Sequence, residues 1–368
     1  MSERRGARRR SRDLFVASPS VADIAAAELE ASIGPAPGLL WCSGARDEPV
    51  FARQVLADAA ELSGSSPDEL SLAVFQWLDA STAEAMLRGE VIVHVSWPEF
   101  GEGRERRHAP FMAEAATIAD AIEARRAGRA RKKDVVRSNG PATSLLQVLV
   151  TGRWRAYVSC GTAPASDPLL AWPSLFPAGR APVRDRPAPS SAFRKLVEAF
   201  AWLGTRPNED DRVLDLGAAP GGWTWVCAQL GARVVAYDRA VLDPALMRNP
   251  LVEHRREDAF AGPPMNAATW MLCDIIDQPE RAAWLVNQAA KSETVRALVV
   301  TLKLKRPVKI RRVRDIVARL PHDTMTLRVK HLVHNKSEVT ILGRRGPSAQ
   351  GQPRPVRSAT RQCWSERK

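Results

Sequence analysis

The stretch DLGAAPGGW, residues 215–223, decides the fold of this chain. It joins an apolar segment, predicted as a strand over 213–217, to a segment predicted as a helix from 222. Glycine permits positive φ and lets a ligand approach the backbone closely, while proline stiffens the turn. The stretch is neither G-x-G-x-x-G nor a P-loop ending in Gly-Lys-Ser/Thr. It therefore argues against a phosphate site for a dinucleotide or a nucleoside triphosphate.

Outward from this turn, strand-like and helical segments alternate regularly. Further helices are expected at 191–204, 278–291 and 308–320. The expected strands cover 213–217, 233–238, 251–255, 269–274, 297–303, 325–332 and 337–343. Strands separated by helices predict a mostly parallel sheet with helices on both faces, so the fold class is α/β and Rossmann-like. The last two strands are joined by only a few residues, which predicts an antiparallel hairpin at the sheet edge.

Three aspartates follow strands on the side of the sheet where ligands bind in such folds. Asp215 can accept hydrogen bonds from an ammonium group or from neighbouring N–H groups, and Asp238 can hold both hydroxyls of a ribose. Asp258, after the third strand, can accept a hydrogen bond from an exocyclic amine. Three acids without a phosphate cradle suit S-adenosylmethionine, a cationic nucleoside that carries no phosphate. The alternative is that these residues are helix caps and turn acids, which strand-to-helix loops commonly carry.

DLGAAPGGW resembles the first motif, D-L-G-x-x-P-G-G-[WF], of the RNA 2′-O-ribose methyltransferases of the RrmJ/fibrillarin type. That family works with a Lys-Asp-Lys-Glu tetrad, and this chain has a counterpart for each member at the matching element. The counterparts are Lys195 in the helix before the motif, Asp274 and Lys303 at strand ends, and Glu338 at the start of the last strand. The resemblance implies an S-adenosylmethionine-dependent methyltransferase. The residues expected to bind that cofactor are Asp215, Gly217, Ala218, Pro220, Gly221, Gly222, Trp223, Asp238, Asp258 and Asp274.

The chemistry implied by the resemblance needs a base. A ribose 2′-hydroxyl is a weak acid, so a base must take its proton during attack on the methyl group. A lysine can do this only if its pKa falls well below about 10.4, which burial and a second cation can cause. We therefore expect Lys303 to be the general base and Lys195 the neighbouring cation. Asp274 would position Lys303, and Glu338 would hold Lys195 or the substrate hydroxyl. No metal is expected, because His331 and His334 have no third ligand in the sequence.

Further segments narrow the resemblance to one subgroup, the bacterial 23S ribosomal RNA cytidine 2′-O-ribose methyltransferases of the RlmM type. These segments are TLKLKRP at 301–307, SEVT at 337–340 and WPSLFP at 172–177. The subgroup implies 23S ribosomal RNA or a large-subunit precursor as the partner, with one cytidine of the peptidyl-transferase loop as the target. It also implies a small α/β element and a THUMP RNA-binding domain in the N-terminal half. That half matches loosely, at FARQ (51–54) and at a hairpin expected near 145–160.

The chain divides into five segments by composition. Basic tails without a fixed fold are expected at 1–12 and 344–368, and they supply +11 of the net charge of +13. The α/β and THUMP-like region spans 13–162, a Pro-rich surface linker 163–190, and the methyltransferase domain 191–343. On the body of the protein, the cations of 125–133 and of 303–314 are candidates for binding phosphate, or are ordinary solvated helix faces.

The overall composition favours a cytoplasmic, monomeric protein without a membrane segment. The five cysteines are scattered, with no Cys-x-x-Cys pair, which is typical of a reducing compartment. Two other functions stay open. The same fold could serve as a catalytically silent RNA-binding or ribosome-assembly factor, although nothing would then require all four tetrad residues. A nicotinamide oxidoreductase is disfavoured by the missing G-x-G-x-x-G.

Overall fold

The computed structural model describes residues 12–43, 48–80, 91–99, 111–130 and 144–346. These residues form two compact units. The first contains described residues up to 166 together with 171–179, and the second contains 167–170 and 180–346. Nearly all of both expected basic tails, and residues 131–133 of the cationic cluster at 125–133, lie outside the described residues.

The first unit contains two four-stranded sheets. One sheet is antiparallel with the strand order β2-β3-β1-β4, and the helix α1 follows β1. Its elements are β1 (Asp13–Ala17), α1 (Ala22–Leu29), β2 (Ser32–Ile33), β3 (Leu39–Cys42) and β4 (Ala52–Leu56). Serine is a common helix N-cap, which would make Ser20 a candidate, but Ser20 does not cap α1. Pro19 instead opens a short 3-10 turn that includes Ser20, and α1 begins after it.

The second sheet has the strand order β5-β8-β7-β6. Its elements are β5 (Ala60–Ser63), α2 (Pro67–Ala80), β6 (Val91–Ser96), α3 (Met112–Ala130), β7 (Ser144–Gly152) and β8 (Arg155–Thr162). The hairpin predicted around Gly152 is present, because β7 and β8 pair antiparallel. Apolar side chains of α2 and α3, among them Leu70, Val74, Ile118 and Ile122, form one core with this sheet.

The Pro-rich stretch 163–190 is more ordered than the surface linker that its composition predicted. Its middle part, 171–179, belongs to the first unit, where Ser174 is fully buried. The Gln54 side chain accepts from the Ser174 N–H at 2.8 Å and donates to the Ser174 carbonyl at 3.1 Å. Prolines lack an N–H and break regular pairing, so a side-chain amide satisfies the backbone here in place of a strand partner.

The second unit is a seven-stranded sheet with the order β11-β10-β9-β12-β13-β15-β14. Its helices are α4 (Phe193–Leu203), α5 (Gly222–Gln229), α6 (Pro244–Met247), α7 (Pro279–Lys291) and α8 (Ile310–Ala318). Its strands are β9 (Arg212–Leu216), β10 (Arg233–Tyr237), β11 (Val252–Arg255), β12 (Trp270–Cys273), β13 (Ala297–Lys303), β14 (Thr326–Lys330) and β15 (Glu338–Arg344). The predicted Rossmann-like α/β fold, with its antiparallel last strand, is therefore confirmed.

The position of β15 brings distant parts of the sequence to one edge of the sheet. It lies between β13 and β14 and runs antiparallel to both. Its first residue, Glu338, is therefore paired in register with Lys303, the last residue of β13. The start of β15 thus meets the carboxyl ends of β9, β12 and β13. No helix in the described part of the chain combines the length and the apolar character needed to cross a membrane.

Candidate active site

The turn between β9 and α5 requires its glycines. Gly217 and Gly221 have φ values of +79° and +117°, which favour glycine strongly over other residues. A Cβ on Gly217 would lie 2.6 Å from Cγ1 of Ile275, so the turn also has no room for a side chain there. The Gly217 N–H donates to the carbonyl of Tyr237 at 2.9 Å. The turn is therefore tied to the end of the neighbouring strand β10.

The four residues expected to form the tetrad meet at this sheet edge. Lys195 Nζ lies 3.0 Å and 3.1 Å from the two carboxylate oxygens of Asp274, and 2.8 Å from Oε1 of Glu338. Lys303 Nζ lies 2.6 Å from Oδ1 of Asp274 and 3.9 Å from Oε1 of Glu338. Both amines therefore share one carboxylate oxygen. They differ in exposure, since the side chain of Lys195 is 6% exposed and that of Lys303 is 21% exposed.

The charges of the tetrad stabilise one another despite their burial. Burial alone lowers the pKa of Lys195, but the charges of Asp274 and Glu338 outweigh it and hold that pKa above its ordinary value. Burial raises the pKa of both acids, but the charges of Lys195 and Lys303 outweigh it and leave both values lowered. The tetrad is thus built around a firmly protonated Lys195 and two ionised carboxylates, with Lys303 on the more open side.

Two further residues support the tetrad, and the sequence alone did not single them out for this. Thr301, two residues before Lys303 on the same face of β13, donates from Oγ1 to Oδ1 of Asp274 at 2.6 Å. The Lys195 nitrogen lies 5.9 Å from the centre of the Trp223 ring, whose Nε1 donates to the carbonyl of Ala192. The alternation of side chains along a strand was the signal that could have identified Thr301.

Asp215 is buried at the end of β9 beside the glycine turn, with 1% of its surface exposed. Its Oδ2 accepts from the Thr224 hydroxyl at 2.6 Å, but its Oδ1 is buried and accepts no hydrogen bond from a described residue. Burial raises the pKa of Asp215 to about 7, although the bond from Thr224 opposes the rise. No cation of the described residues forms an ion pair with it. The site therefore contains a buried acid whose charge the protein itself leaves uncompensated.

The other two predicted acids occupy more open positions. Asp238, after β10, accepts from the Ala219 N–H at 3.0 Å and from the Ala240 N–H at 2.8 Å. Asp258 is 41% exposed and pairs with Arg239 at 2.5 Å. A hydrogen bond from the Phe260 N–H and the pairing with Arg239 lower the pKa of Asp258. Asp238 thus braces the glycine turn while retaining acceptor capacity, because a carboxylate has about four lone-pair sites.

These residues fit S-adenosylmethionine. The open acceptor of Asp215 suits a positively charged ligand, and the free lone pairs of Asp238 suit ribose hydroxyls. His331 and His334 are engaged elsewhere: the His331 ring lies 3.1 Å from the Lys336 carbonyl, and the His334 N–H donates to Glu198. Among the described residues, no group of three or more His, Cys, Asp or Glu could hold a metal ion.

The basic run after Lys303 borders a cavity of about 250 Å³. The cavity is lined by Pro279, by residues 304–309 and by Arg312 and Val313. Arg312 is tied to Glu280 through contacts of 2.6 and 2.7 Å. No ion pair joins Lys305 or Lys309 to another described residue. The run therefore contains both compensated and uncompensated cations.

Comparison with known proteins places this site in a family. Residues 189–303 match the FtsJ-like methyltransferase family model. The ribosomal RNA large subunit methyltransferase M of Thauera aminoaromatica is 31% identical over 307 residues, which cover 79% of this chain and 78% of that protein. This chain belongs to the ribosomal RNA large subunit methyltransferase M family. Membership confirms the family resemblance, the methyltransferase class and S-adenosylmethionine as the cofactor that the sequence predicted.

Other members of the methyltransferase M family match over a shorter stretch. The Halorhodospira halophila member is 38% identical over 181 residues, covering 48% of this chain and 52% of the relative. The member from Azoarcus sp. is 33% identical over 223 residues, covering 57% of this chain and 59% of the relative. The chain thus spans little more than half the length of these two relatives. The THUMP-like nature of the N-terminal half stays a prediction.

Proposed function

We propose that this chain transfers a methyl group from S-adenosylmethionine to the 2′-oxygen of a ribose in ribosomal RNA, with Lys303 as the general base. The observation that carries the proposal is the pair of lysines on one carboxylate oxygen, beside the glycine turn. Lys195 and Lys303 both lie within 3.0 Å of Oδ1 of Asp274. The relatives are ribosomal RNA large subunit methyltransferases M, which supports the choice of substrate class.

The roles of the four residues follow from their contacts. S-adenosylmethionine, when bound, supplies an electrophilic methyl group on a sulfonium. Lys303 is the more exposed amine, and it takes the proton from the ribose 2′-hydroxyl so that this oxygen becomes nucleophilic. Lys195 supplies a fixed positive charge on the same carboxylate oxygen that Lys303 contacts. Asp274 then stabilises the ammonium group that forms on Lys303.

The remaining residues hold the participants in place. Glu338 fixes Lys195 at 2.8 Å, so that Lys195 can orient the ribose while its charge stays constant. Asp215 would face a positively charged part of the cofactor, and Asp238 would hold the ribose of its nucleoside. Asp258 fits the cofactor least well by geometry, since Arg239 already occupies its Oδ2. Its Oδ1 also receives the Phe260 N–H.

The proposed target is one cytidine of the peptidyl-transferase loop of 23S ribosomal RNA, either in free RNA or in a large-subunit precursor. This assignment rests on the resemblance of the sequence to the RlmM subgroup. The enzyme would act in the cytoplasm, where bacterial ribosomal RNA is made.

The test combines mapping with a matched pair of variants. Alkali-resistant linkages are mapped in ribosomal RNA from cells with and without this protein, because a 2′-O-methyl group blocks cleavage of the adjacent phosphodiester. Transfer of labelled methyl to the RNA that lacks the mark is then measured for wild type, Lys303→Met and Lys291→Met. We expect at least a 100-fold loss for Lys303→Met, since a general base contributes about 10²–10⁴ in rate. Lys291 is exposed at the end of α7, and its variant should match wild type.

The outcomes separate the candidate functions. Equal transfer by Lys303→Met and wild type would remove Lys303 as the base. A missing mark in the deletion strain that purified protein restores identifies the target nucleotide. RNA binding without any methyl transfer, by wild type as well as the variants, would support the silent assembly factor instead.

A further inference from the structure

Thr301 is buried inside the candidate active site and contacts its central acid. Its side chain is fully buried, and Oγ1 lies 2.6 Å from Oδ1 of Asp274 and 3.4 Å from the carbonyl of Cys273. The single hydroxyl proton is best directed along the shorter contact. Threonine is β-branched, so its χ1 angle is stiff, and strand pairing with β15 fixes the backbone on which it sits.

The two carboxylate oxygens of Asp274 accept different numbers of hydrogen bonds. Its Oδ1 accepts from Thr301 at 2.6 Å, from Lys303 at 2.6 Å and from Lys195 at 3.0 Å. Its Oδ2 accepts only from Lys195, at 3.1 Å, among the contacts of the described residues. The neutral hydroxyl thus competes with two ammonium groups for one oxygen atom. Together with Lys303, which also donates to Oδ1, the hydroxyl holds this oxygen of the carboxylate toward β13.

We propose that Thr301 is a positioning residue for methyl transfer: its hydroxyl holds Asp274 Oδ1 between the two lysines and limits how strongly Asp274 retains the proton of Lys303. This inference rests on the proposed role of Lys303 as the base. An acceptor shared with a third donor binds each donor less strongly, so the amine of Lys303 releases its proton more readily when the hydroxyl is present.

The charged groups around Lys303 come from several elements. Lys195 on α4 and Glu338 on β15 face it from two sides, and Asp274 follows β12. Asp215 at the end of β9 is close enough for its charge to interact with that of Asp274. None of these groups is altered by a substitution at position 301. A change in the pH dependence of the reaction would therefore report on the hydroxyl itself.

The test compares Thr301→Val, which keeps the shape and removes the hydroxyl, with Thr301→Ser, which keeps the hydroxyl. We expect kcat at pH 7 to fall about tenfold in Thr301→Val, the effect of about one hydrogen bond, with KM for RNA unchanged. The pH at which kcat reaches half its maximum should rise by about one unit. Thr301→Ser should stay within about twofold of wild type. Thermal unfolding of both variants, followed by circular dichroism, verifies that the full chain is folded.

A second measurement does not depend on methyl transfer. Acetic anhydride acylates neutral amines, and mass spectrometry gives the acylation rate of each lysine in the full chain as a function of pH. In Thr301→Val, Lys303 should be acylated about tenfold more slowly between pH 7 and 8, while the exposed Lys291 should be unchanged. Unchanged acylation together with an equal loss of kcat at every pH would overturn the proposal and leave Thr301 a structural residue.

The result that would contradict the proposed function differs from the result that would contradict the role of Thr301. If Lys303→Met transfers methyl groups as well as wild type, Lys303 is not the base, whatever Thr301 does. Slower acylation of Lys303 in Thr301→Val would still establish the hold of Thr301 on this amine. If Thr301→Val does not fold, Thr301→Ala takes its place in both measurements, with the same expected direction.

Discussion

The two halves of one sheet edge differ in whether their buried acids are in contact with cations of the protein. On the side of β12, β13 and β15, the acids Asp274 and Glu338 are each in contact with lysines of the protein, and their pKa values are lowered. On the side of β9 and β10, Asp215 is buried without a cationic partner among the described residues, and its pKa is raised to about 7. The two halves are adjacent in the sheet, since β9 pairs with β12.

The difference matches the two ligands of the proposed reaction. A ribose hydroxyl is neutral, so the half that meets it has to carry its own counter-charges, two lysines against two carboxylates. The cofactor is a cation, and the half proposed to bind it keeps a carboxylate that has no cationic partner among the described residues. A buried, uncompensated charge destabilises the fold unless a ligand neutralises it. The comparison therefore predicts that substitutions on the first half destabilise the protein, whereas one on the second half stabilises the free protein.

The largest effect is expected for Asp274→Asn. This change leaves two ammonium groups close together with only Glu338 to balance them, so breaking the buried network should lower the free energy of unfolding by about 3 kcal/mol. The rate of methyl transfer should fall at least about 100-fold, because the acid that positions the base is lost. Urea denaturation and single-turnover transfer measure the two quantities.

The matched control for this change is Asp277→Asn, three residues further along the chain. Asp277 pairs with Arg281 one helical turn away, and the arginine side chain of that pair is 51% exposed. Its removal should change stability by less than about 1 kcal/mol. Similar losses of stability in both variants would mean that the contacts of Asp274 in the tetrad stabilise the protein no more than a surface ion pair does.

Asp215→Asn should raise the free energy of unfolding, whereas Asp274→Asn should lower it. The folded-state pKa of Asp215, about 7, lies above its ordinary value of 3.8, so ionisation destabilises the folded protein. The contribution of Asp215 to stability is therefore most favourable below about pH 4 and is lost as the pH rises toward 7. The variant, which keeps an acceptor for Thr224, should be more stable than wild type by up to about 4 kcal/mol above pH 7, and the advantage should vanish at low pH. Denaturation curves between pH 5 and 8.5 test this directly.

Cofactor binding gives a second test of the difference between the two halves of the sheet edge. A bound cation stabilises the ionised form of Asp215, so wild-type affinity for S-adenosylmethionine should rise as the pH increases through 7. The affinity of Asp215→Asn should be weaker and nearly independent of pH, as measured by calorimetry. A variant that binds the cofactor like wild type at every pH would show that Asp215 supports only Thr224 and the turn.

A smaller effect is expected for Asp238→Ala. The loss of hydrogen bonds to the cofactor ribose should weaken its binding about 10-fold to 100-fold, while RNA affinity stays unchanged. Asp243→Ala is the control, since Asp243 also accepts a backbone N–H, that of Ala245, at the start of α6. Both variants lose a turn-bracing bond, so equal cofactor affinity in the two would refute the ribose role of Asp238.

The smallest effect concerns the cations after Lys303. The double variant Lys305→Gln/Lys309→Gln should reduce the salt dependence of RNA binding by about two units of the logarithmic slope. Arg312→Gln should reduce it by less than one, because Glu280 already compensates that charge. Fluorescence anisotropy of an RNA fragment at 50–300 mM salt measures the slopes. Identical slopes for all three proteins would assign these residues to a solvated helix face.

The sequence was sufficient to predict the catalytic unit because apolar strand segments alternate regularly with helical segments there. The strand ends at Asp215, Asp274 and Lys303 could be located from alternation of apolar strands and helices, and the topology of a parallel sheet then brings such ends together. The role of Thr301 was not predicted, because a threonine in a buried strand is ordinary by composition. The uncompensated state of Asp215 depends on which cations fold around it, and no local pattern records that.

The first unit was harder to predict for physical reasons. Strand β4, residues 52–56, is buried at every position, so it has no alternation to reveal it. Strand β5 alternates but has only four residues. The Pro-rich stretch has the composition of a surface linker, yet Ser174 is held by the side chain of Gln54, 120 residues earlier in the chain. Such a long-range contact cannot be inferred from either segment alone.

The order in which the four tetrad residues are synthesised determines when the site can assemble. Three of its members precede residue 304, whereas Glu338 arrives with β15, a strand that inserts between β13 and β14 rather than adding to the outside of the sheet. A nascent chain that still lacks this strand has Lys195 without its second carboxylate and a sheet that is not closed at β13. The four-residue site can therefore assemble only after β15 has been inserted, because the contact of Glu338 with Lys195 depends on that strand.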